Sequence, residues 1–181
     1  MSLKTLTTIL LFPFFLLTSS AHAALKPGDK APDFTAEGSL GGKTFTFNLA
    51  DALKQGPVVL YFYPAAFTTG CTIEAHQFAE ATDSFKAEGA TIIGVSHDPI
   101  DKLAKFSVSE CRGKFAVAAD KDGSIMKAYD AVLTSTLGIA NRTSYVIAPD
   151  QTIIYAYTAM SPDEHVTNTL RAVQEWRKTK K

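Results

Sequence analysis

Val58-Val59-Leu60-Tyr61-Phe62-Tyr63-Pro64-Ala65-Ala66-Phe67-Thr68-Thr69-Gly70-Cys71-Thr72-Ile73-Glu74 is the stretch on which the fold turns. Its first six residues form a continuous apolar run bounded by Pro57 and Pro64, the pattern of a short strand buried on both faces. A loop of small and hydroxyl-bearing residues follows. Helical spacing then begins near Cys71 and runs to about Glu88, with Ile73, Ala75, Phe78, Ala81 and Phe85 predicted to share one face. A cysteine at such a strand–loop–helix junction lies near unpaired backbone N–H groups and the positive end of the helix dipole. A free thiol has a pKa of about 8.5, which such settings lower to roughly 3.5–7.5, so the Cys71 sulfur is expected to be a nucleophilic thiolate. The competing reading is an inert cysteine that fills core space.

Downstream, Thr91-Ile92-Ile93-Gly94-Val95-Ser96 reads as a second buried strand. A helix from Ile100 to about Cys111 follows, with Leu103 and Phe106 inward, and then a short helix over Ser124 to Tyr129. Thr143-Ser144-Tyr145-Val146-Ile147 and Thr152-Ile153-Ile154-Tyr155-Ala156-Tyr157 flank Pro149-Asp150-Gln151, which predicts an antiparallel hairpin. Pro162 opens a final helix that reaches about Arg177. Upstream, Phe34 to Thr35 and Thr44 to Phe47 flank Gly38-Ser39-Leu40-Gly41-Gly42, an N-terminal β-hairpin. Parallel βαβ strands, then a hairpin and a closing helix, predict an α/β domain with a central mixed sheet flanked by helices.

The 181 residues suffice for one globular domain with a sizeable core. Residues 1–23 read as a signal peptide: Lys4 is its positive end, Leu6 to Leu17 its apolar run, and Ala21-His22-Ala23 its cleavage site. The run is shorter than the ~20 residues that span a bilayer, and Pro13 interrupts it. The mature domain is therefore expected over 24–181, exported, and periplasmic in a Gram-negative host. It carries 17 basic against 18 acidic side chains and no second long apolar stretch, which gives no reason to propose nucleic acid or membrane as a partner. Two cysteines and four scattered histidines do not make a metal site. In an oxidising compartment, two thiols in one domain also suggest a structural disulfide.

Pro64-x-x-x-Thr68-x-x-Cys71 resembles the active-site signature of the peroxiredoxins. Phe62-Tyr63-Pro64 and Cys71-Thr72-Ile73-Glu74 are similar to the bacterioferritin-comigratory (peroxiredoxin Q) branch. The resemblance extends from Pro27-Gly28-Asp29-Lys30-Ala31-Pro32-Asp33-Phe34 through Val95-Ser96-x-Asp98 to Asn141-Arg142-Thr143-Ser144-Tyr145-Val146-Ile147. It implies a thioredoxin-like fold and a peroxidase that reduces hydrogen peroxide or organic hydroperoxides without metal, haem or flavin. It also implies the roles: Cys71 as peroxidatic thiol, Thr68 donating its hydroxyl toward the sulfur and the peroxide, Pro64 shielding the pocket, and Arg142 as the motif's cation. A guanidinium there stabilises both the thiolate and the charge developing on the leaving oxygen. Glu74, one helical turn from Cys71, is placed to orient Arg142. Thr68 stands where a C-x-x-C dithiol oxidoreductase would carry its first cysteine.

A sulfenic acid on Cys71 must condense with a thiol or risk over-oxidation. Some members of the resembled branch resolve from five residues further along the same helix, a position held here by His76; others resolve from the next helix, where Cys111 lies. Cys111 is thus assigned as resolving, with local unwinding needed to bring Cα atoms within roughly 7 Å. A thioredoxin-like dithiol protein would then regenerate a monomeric enzyme. Two alternatives stay open: a one-cysteine mechanism with an outside thiol, and a non-enzymatic thioredoxin-fold binding module whose disulfide is structural.

Overall fold

The computed structural model describes residues 25–134 and 136–180; the predicted signal segment, residues 1–23, lies outside them. β1 (Thr35–Leu40) and β2 (Lys43–Asn48) form the N-terminal hairpin, followed by α1 (Leu49–Leu53), β3 (Val58–Phe62) and α2 (Thr69–Ala87). Next come β4 (Thr91–Ser96), α3 (Ile100–Ser109), β5 (Ala116–Ala119) and α4 (Ser124–Ala128). A small pair, β6 (Val132–Thr134) with β7 (Ile139–Ala140), precedes β8 (Thr143–Ile147), β9 (Ile153–Thr158) and α5 (His165–Lys178).

Seven strands form one mixed sheet in the order β2-β1-β5-β4-β3-β8-β9. β3 is central, parallel to β4 and antiparallel to β8, and buried at every residue, as its unbroken apolar run requires. Its two-residue period splits the core between the faces of the sheet. Val59, Tyr61 and Tyr63 join Phe78 and Phe85 of α2, Leu103 and Phe106 of α3, and Val173 of α5. Val58, Leu60 and Phe62 pack on the other face with Leu49 of α1 and Met126 of α4. Tyr61 stacks on Phe78 at 4.5 Å between ring centroids, and Tyr63 on Phe106 at 5.6 Å.

Several elements differ from the sequence reading. The first hairpin is tighter than its glycines suggested: β1 extends through Gly38, Ser39 and Leu40, and the turn is Gly41-Gly42, both at positive φ, as a tight hairpin turn demands. Ile73 is exposed; the buried stripe of α2 is Cys71, Glu74, Ala75, Phe78, Ala79, Thr82 and Phe85. α3 ends at Ser109, so Cys111 lies in the turn after it. α5 starts at His165 rather than Pro162, because the His165 ring is tied to Ser144 and Ala159 and sets the helix entry. β5 was not predicted: Ala116-Val117-Ala118-Ala119 has little intrinsic strand preference and is a strand because β4 and β1 flank it.

Candidate active site

The register of the central strands builds the site. Phe62 pairs with Thr143 across β3 and β8, so Arg142, just before β8, arrives at the end of the sheet where the Pro64 loop begins. Along β8 the two-residue period turns Arg142, Ser144 and Val146 to one face, the face that α2 and α5 cover. Cys71 is the third residue of α2, and Glu74 follows one turn later on the same buried side.

Arg142 joins these parts. Its Nη2 lies 3.6 Å from Cys71 Sγ, its Nη1 donates to Glu74 Oε2, and its Nε donates to the Met160 carbonyl at 2.9 Å. Cys71, Glu74 and Arg142 are all buried. Gly70 makes the approach possible, since a Cβ there would stand 3.0 Å from Arg142 Nη2. Burial pushes the Glu74 carboxyl up to about 8, against the opposing pull of Arg142.

The loop between β3 and α2 is pinned from the end of β4. Asp98 accepts from the Ala66 amide at 2.7 Å and from Ser96 Oγ at 2.9 Å, and pairs with Lys102 at 2.6 Å. That is the part played by the Val95-Ser96-x-Asp98 stretch. Phe67 adopts positive φ and packs edge-on against Phe106 at 5.2 Å between centroids. Thr68 is the extended residue capping α2, and its carbonyl accepts from the Thr72 amide at 2.9 Å. Its hydroxyl donates to the Ala65 carbonyl at 3.0 Å instead of to the sulfur, so the expected Thr68–Cys71 contact needs a side-chain rotation. Pro64, at the loop entrance, is half-buried.

Cys111 is a free, buried thiol, as is Cys71. Burial, and next the Glu110 charge, push its pKa well above the ordinary thiol value, so in this conformation it stays protonated. Its turn is held against α2 by His76–Glu110 at 2.8 Å, Glu80–Arg112 at 3.2 Å and Asp83–Lys114 at 3.8 Å. Sequence reasoning missed the parts of His165, Ser144 and the Met160 carbonyl: only the tertiary packing of β8, β9 and α5 brings His165 to Glu74, Ser144 to His165 and the Met160 carbonyl to Arg142. Among the described residues, no cluster of histidine, cysteine and carboxylate side chains could hold a metal ion, and no helix is long and apolar enough to cross a membrane.

A buried cysteine at a helix start, with a guanidinium beside its sulfur, on a mixed sheet of this strand order, defines a thioredoxin-fold protein with a reactive-thiol site. The AhpC/TSA family matches residues 27–156. The putative peroxiredoxin Rv1608c of Mycobacterium tuberculosis is 33% identical over 156 residues, 83% of this chain and 99% of that protein. Chloroplastic peroxiredoxin Q of Triticum aestivum is 30% identical over 81% of this chain and 66% of its own length. The crystal structure of peroxidoxin BcpB from Mycobacterium tuberculosis superposes with a TM-score of 0.76 at 31% identity, covering 83% of this chain and 97% of that one. The chain belongs to the AhpC/TSA family, in its bacterioferritin-comigratory, peroxiredoxin Q branch. It is a thiol-dependent peroxidase, with peroxide as substrate and a thioredoxin-type protein as reductant.

Proposed function

We propose that Cys71 is the peroxidatic nucleophile and Cys111 the resolving thiol of an exported, monomeric peroxidase acting on hydrogen peroxide and organic hydroperoxides. The observation that carries this reading is the buried Arg142 Nη2 at 3.6 Å from Cys71 Sγ, at the start of α2. The Cys71 thiolate attacks one peroxide oxygen; the S–O bond forms, the O–O bond breaks, and the leaving oxygen takes a proton to depart as water or alcohol. Sulfur is oxidised to the sulfenic acid. Arg142 and the first-turn amides of α2 stabilise charge on the leaving oxygen, Thr68 turns its hydroxyl toward the peroxide, and Pro64 screens the pocket from water.

Cys111 then attacks the sulfenic sulfur, forming the disulfide and releasing water; thiol–disulfide exchange with the external dithiol restores both thiols. Because Cys111 is buried and protonated in the turn after α3, this step requires local unwinding of that turn and of the start of α2. Cleavage of residues 1–23 would deliver the domain beginning at Ala24 to the periplasm of a Gram-negative host, free of the membrane.

The test is thiol counting and mass spectrometry on the reduced mature protein after one equivalent of hydrogen peroxide. Wild type loses both thiols, Cys71→Ser shows no fast reaction, and Cys111→Ser stops at a trapped sulfenic acid. Persistence of both thiols in wild type, or a fast Cys71→Ser, overturns the reading. A trapped sulfenic acid in wild type transfers resolution to an outside thiol. Sedimentation of the reduced protein checks the monomer, and N-terminal sequencing of the exported protein checks the cleavage site.

A further inference from the structure

Beyond Arg142, the buried chain of polar groups continues. Glu74 Oε2 accepts from Arg142, while Glu74 Oε1 has no hydrogen-bond partner and faces His165 Nδ1 at 3.7 Å. Glu74 and His165 are both fully buried. His165 Nε2 lies 2.9 Å from the Ala159 carbonyl, an acceptor only, so this nitrogen carries a hydrogen. In the neutral ring Nδ1 is then an acceptor, taking the Ser144 hydroxyl at 2.8 Å, with Glu74 Oε1 next to it at 3.7 Å.

We propose that His165 is a positioning residue of the peroxidase: with Glu74 it holds one proton in the buried cluster, which leaves the positive charge of Arg142 to the Cys71 thiolate. This rests on the roles proposed above for Cys71 and Arg142. The physical reason is charge balance in a site closed to water. With Cys71 and Glu74 both ionised, Arg142 charged and His165 neutral, the cluster carries a net negative charge, which a buried site tolerates poorly. One proton on either Glu74 or His165 brings the total to zero. If it sits on Glu74 Oε1, His165 Nδ1 can take it up once the Ser144 hydroxyl rotates away; if it moves to Nδ1, the resulting ion pair spans the same 3.7 Å gap.

The other groups facing the pair do not replace it. Toward Glu74 stand Cys71 on its own helix, Arg142, and Tyr61 of β3, whose phenol burial keeps neutral. Toward His165 stand Ser144, the Tyr157 ring at 4.8 Å between centroids, and the Glu164 and Arg142 charges. Glu164 is engaged by the Tyr157 hydroxyl at 2.8 Å. Burial raises the proton affinity of Glu74 and lowers that of His165, so the acid is the first seat of the shared proton.

The experiment is the pH titration of the Cys71 thiolate by ultraviolet absorbance in Cys111→Ser, with His165→Gln and Glu74→Gln added singly and together. Glutamine at 165 keeps an N–H for Ala159 but cannot take up a proton. The proposal expects His165→Gln to raise the thiolate midpoint by about one unit, and peroxide consumption below that midpoint to fall about tenfold in the background that retains Cys111. Glutamine at 74 is permanently neutral, so adding His165→Gln to Glu74→Gln should leave the midpoint where Glu74→Gln put it. A merely structural role for His165 would move both backgrounds alike. An unchanged midpoint in His165→Gln, or an equal shift in both backgrounds, overturns the proposal while an inert Cys71→Ser still upholds the peroxidase assignment. If His165→Gln does not fold, histidine NMR of the Cys111→Ser protein decides: His165 ring resonances that stay fixed while Cys71 titrates overturn it.

Discussion

His76 Nε2 and Glu110 Oε2, 2.8 Å apart, tie the outer side of α2 to the turn that carries Cys111. Glu80–Arg112 and Asp83–Lys114 continue the seam further along α2. If Cys111 must leave its pocket to reach Cys71, these pairs oppose the departure. Pairs this exposed contribute roughly 0–1 kcal/mol each. Glu110→Gln is therefore expected to speed disulfide formation after a peroxide pulse by a few-fold, about fivefold for a loss of 1 kcal/mol. The rate of Cys71 oxidation should not change. Stopped-flow fluorescence resolves the two phases, and an unchanged second phase would mean that release of the Cys111 turn does not limit resolution.

Arg142 uses three separate N–H groups, on Cys71, Glu74 and the Met160 carbonyl. Lysine keeps the charge but offers one flexible ammonium, which cannot hold all three in fixed directions. Arg142→Lys should lower the rate of Cys71 oxidation by about 10²–10³-fold, the range seen when one preorganised donor to a developing oxyanion is lost. Single-turnover kinetics with hydrogen peroxide tests this. A loss of under tenfold would assign Arg142 to charge alone rather than directed donation.

Much of this arrangement was legible in the chain, for identifiable reasons. The Val58 to Tyr63 run announced a strand buried on both faces because such a strand needs no polar residue, and Pro64 with the small and hydroxyl-bearing residues after it marked the loop before Cys71. Glu74 was readable from helical periodicity as the neighbour of Cys71. Its link to Arg142 came from the motif resemblance, since β3–β8 register is a long-range property. Ile73 misled because an apolar residue can sit on the exposed side of a helix; the core stripe admitted Glu74 instead, whose burial depends on Arg142. β5 and His165 were illegible for a common cause. Four residues from Ala116 to Ala119 become a strand, and a histidine after Asp163-Glu164 becomes a buried partner of Glu74, only through neighbours distant in sequence.

Gly70 offers a test in which rate and stability should part. A methyl group at this position would stand 3.0 Å from Arg142 Nη2 and displace the guanidinium from Cys71. The residue lies in the first turn of α2, where alanine is favoured over glycine by up to about 1 kcal/mol. Gly70→Ala is thus expected to slow Cys71 oxidation about tenfold, well short of the Arg142→Lys loss, without lowering the melting temperature. Calorimetry alongside peroxide kinetics checks both halves. A fall in melting temperature would mean that the guanidinium cannot give way and that the helix start is strained instead.

Glu74 should also leave its mark on stability as a function of pH. Its folded pKa, about 8, lies above the ordinary 4.5, so between these values the folded state binds more protons than the unfolded chain. Stability then falls as pH rises through that window. His165 acts in the opposite sense: burial lowers its folded pKa below 6.5, so its contribution is lost as pH falls beneath that value. The two slopes oppose one another at mildly acid pH, and from about 6.5 to 8 the Glu74 slope stands alone, amounting to about 2 kcal/mol. Urea unfolding of the Cys71→Ser protein, which removes the thiolate's own titration, should show this decline. Glu74→Gln in the same background should flatten it. A decline that persists in Glu74→Gln would place the titrating group elsewhere and remove Glu74 as the seat of the buried proton.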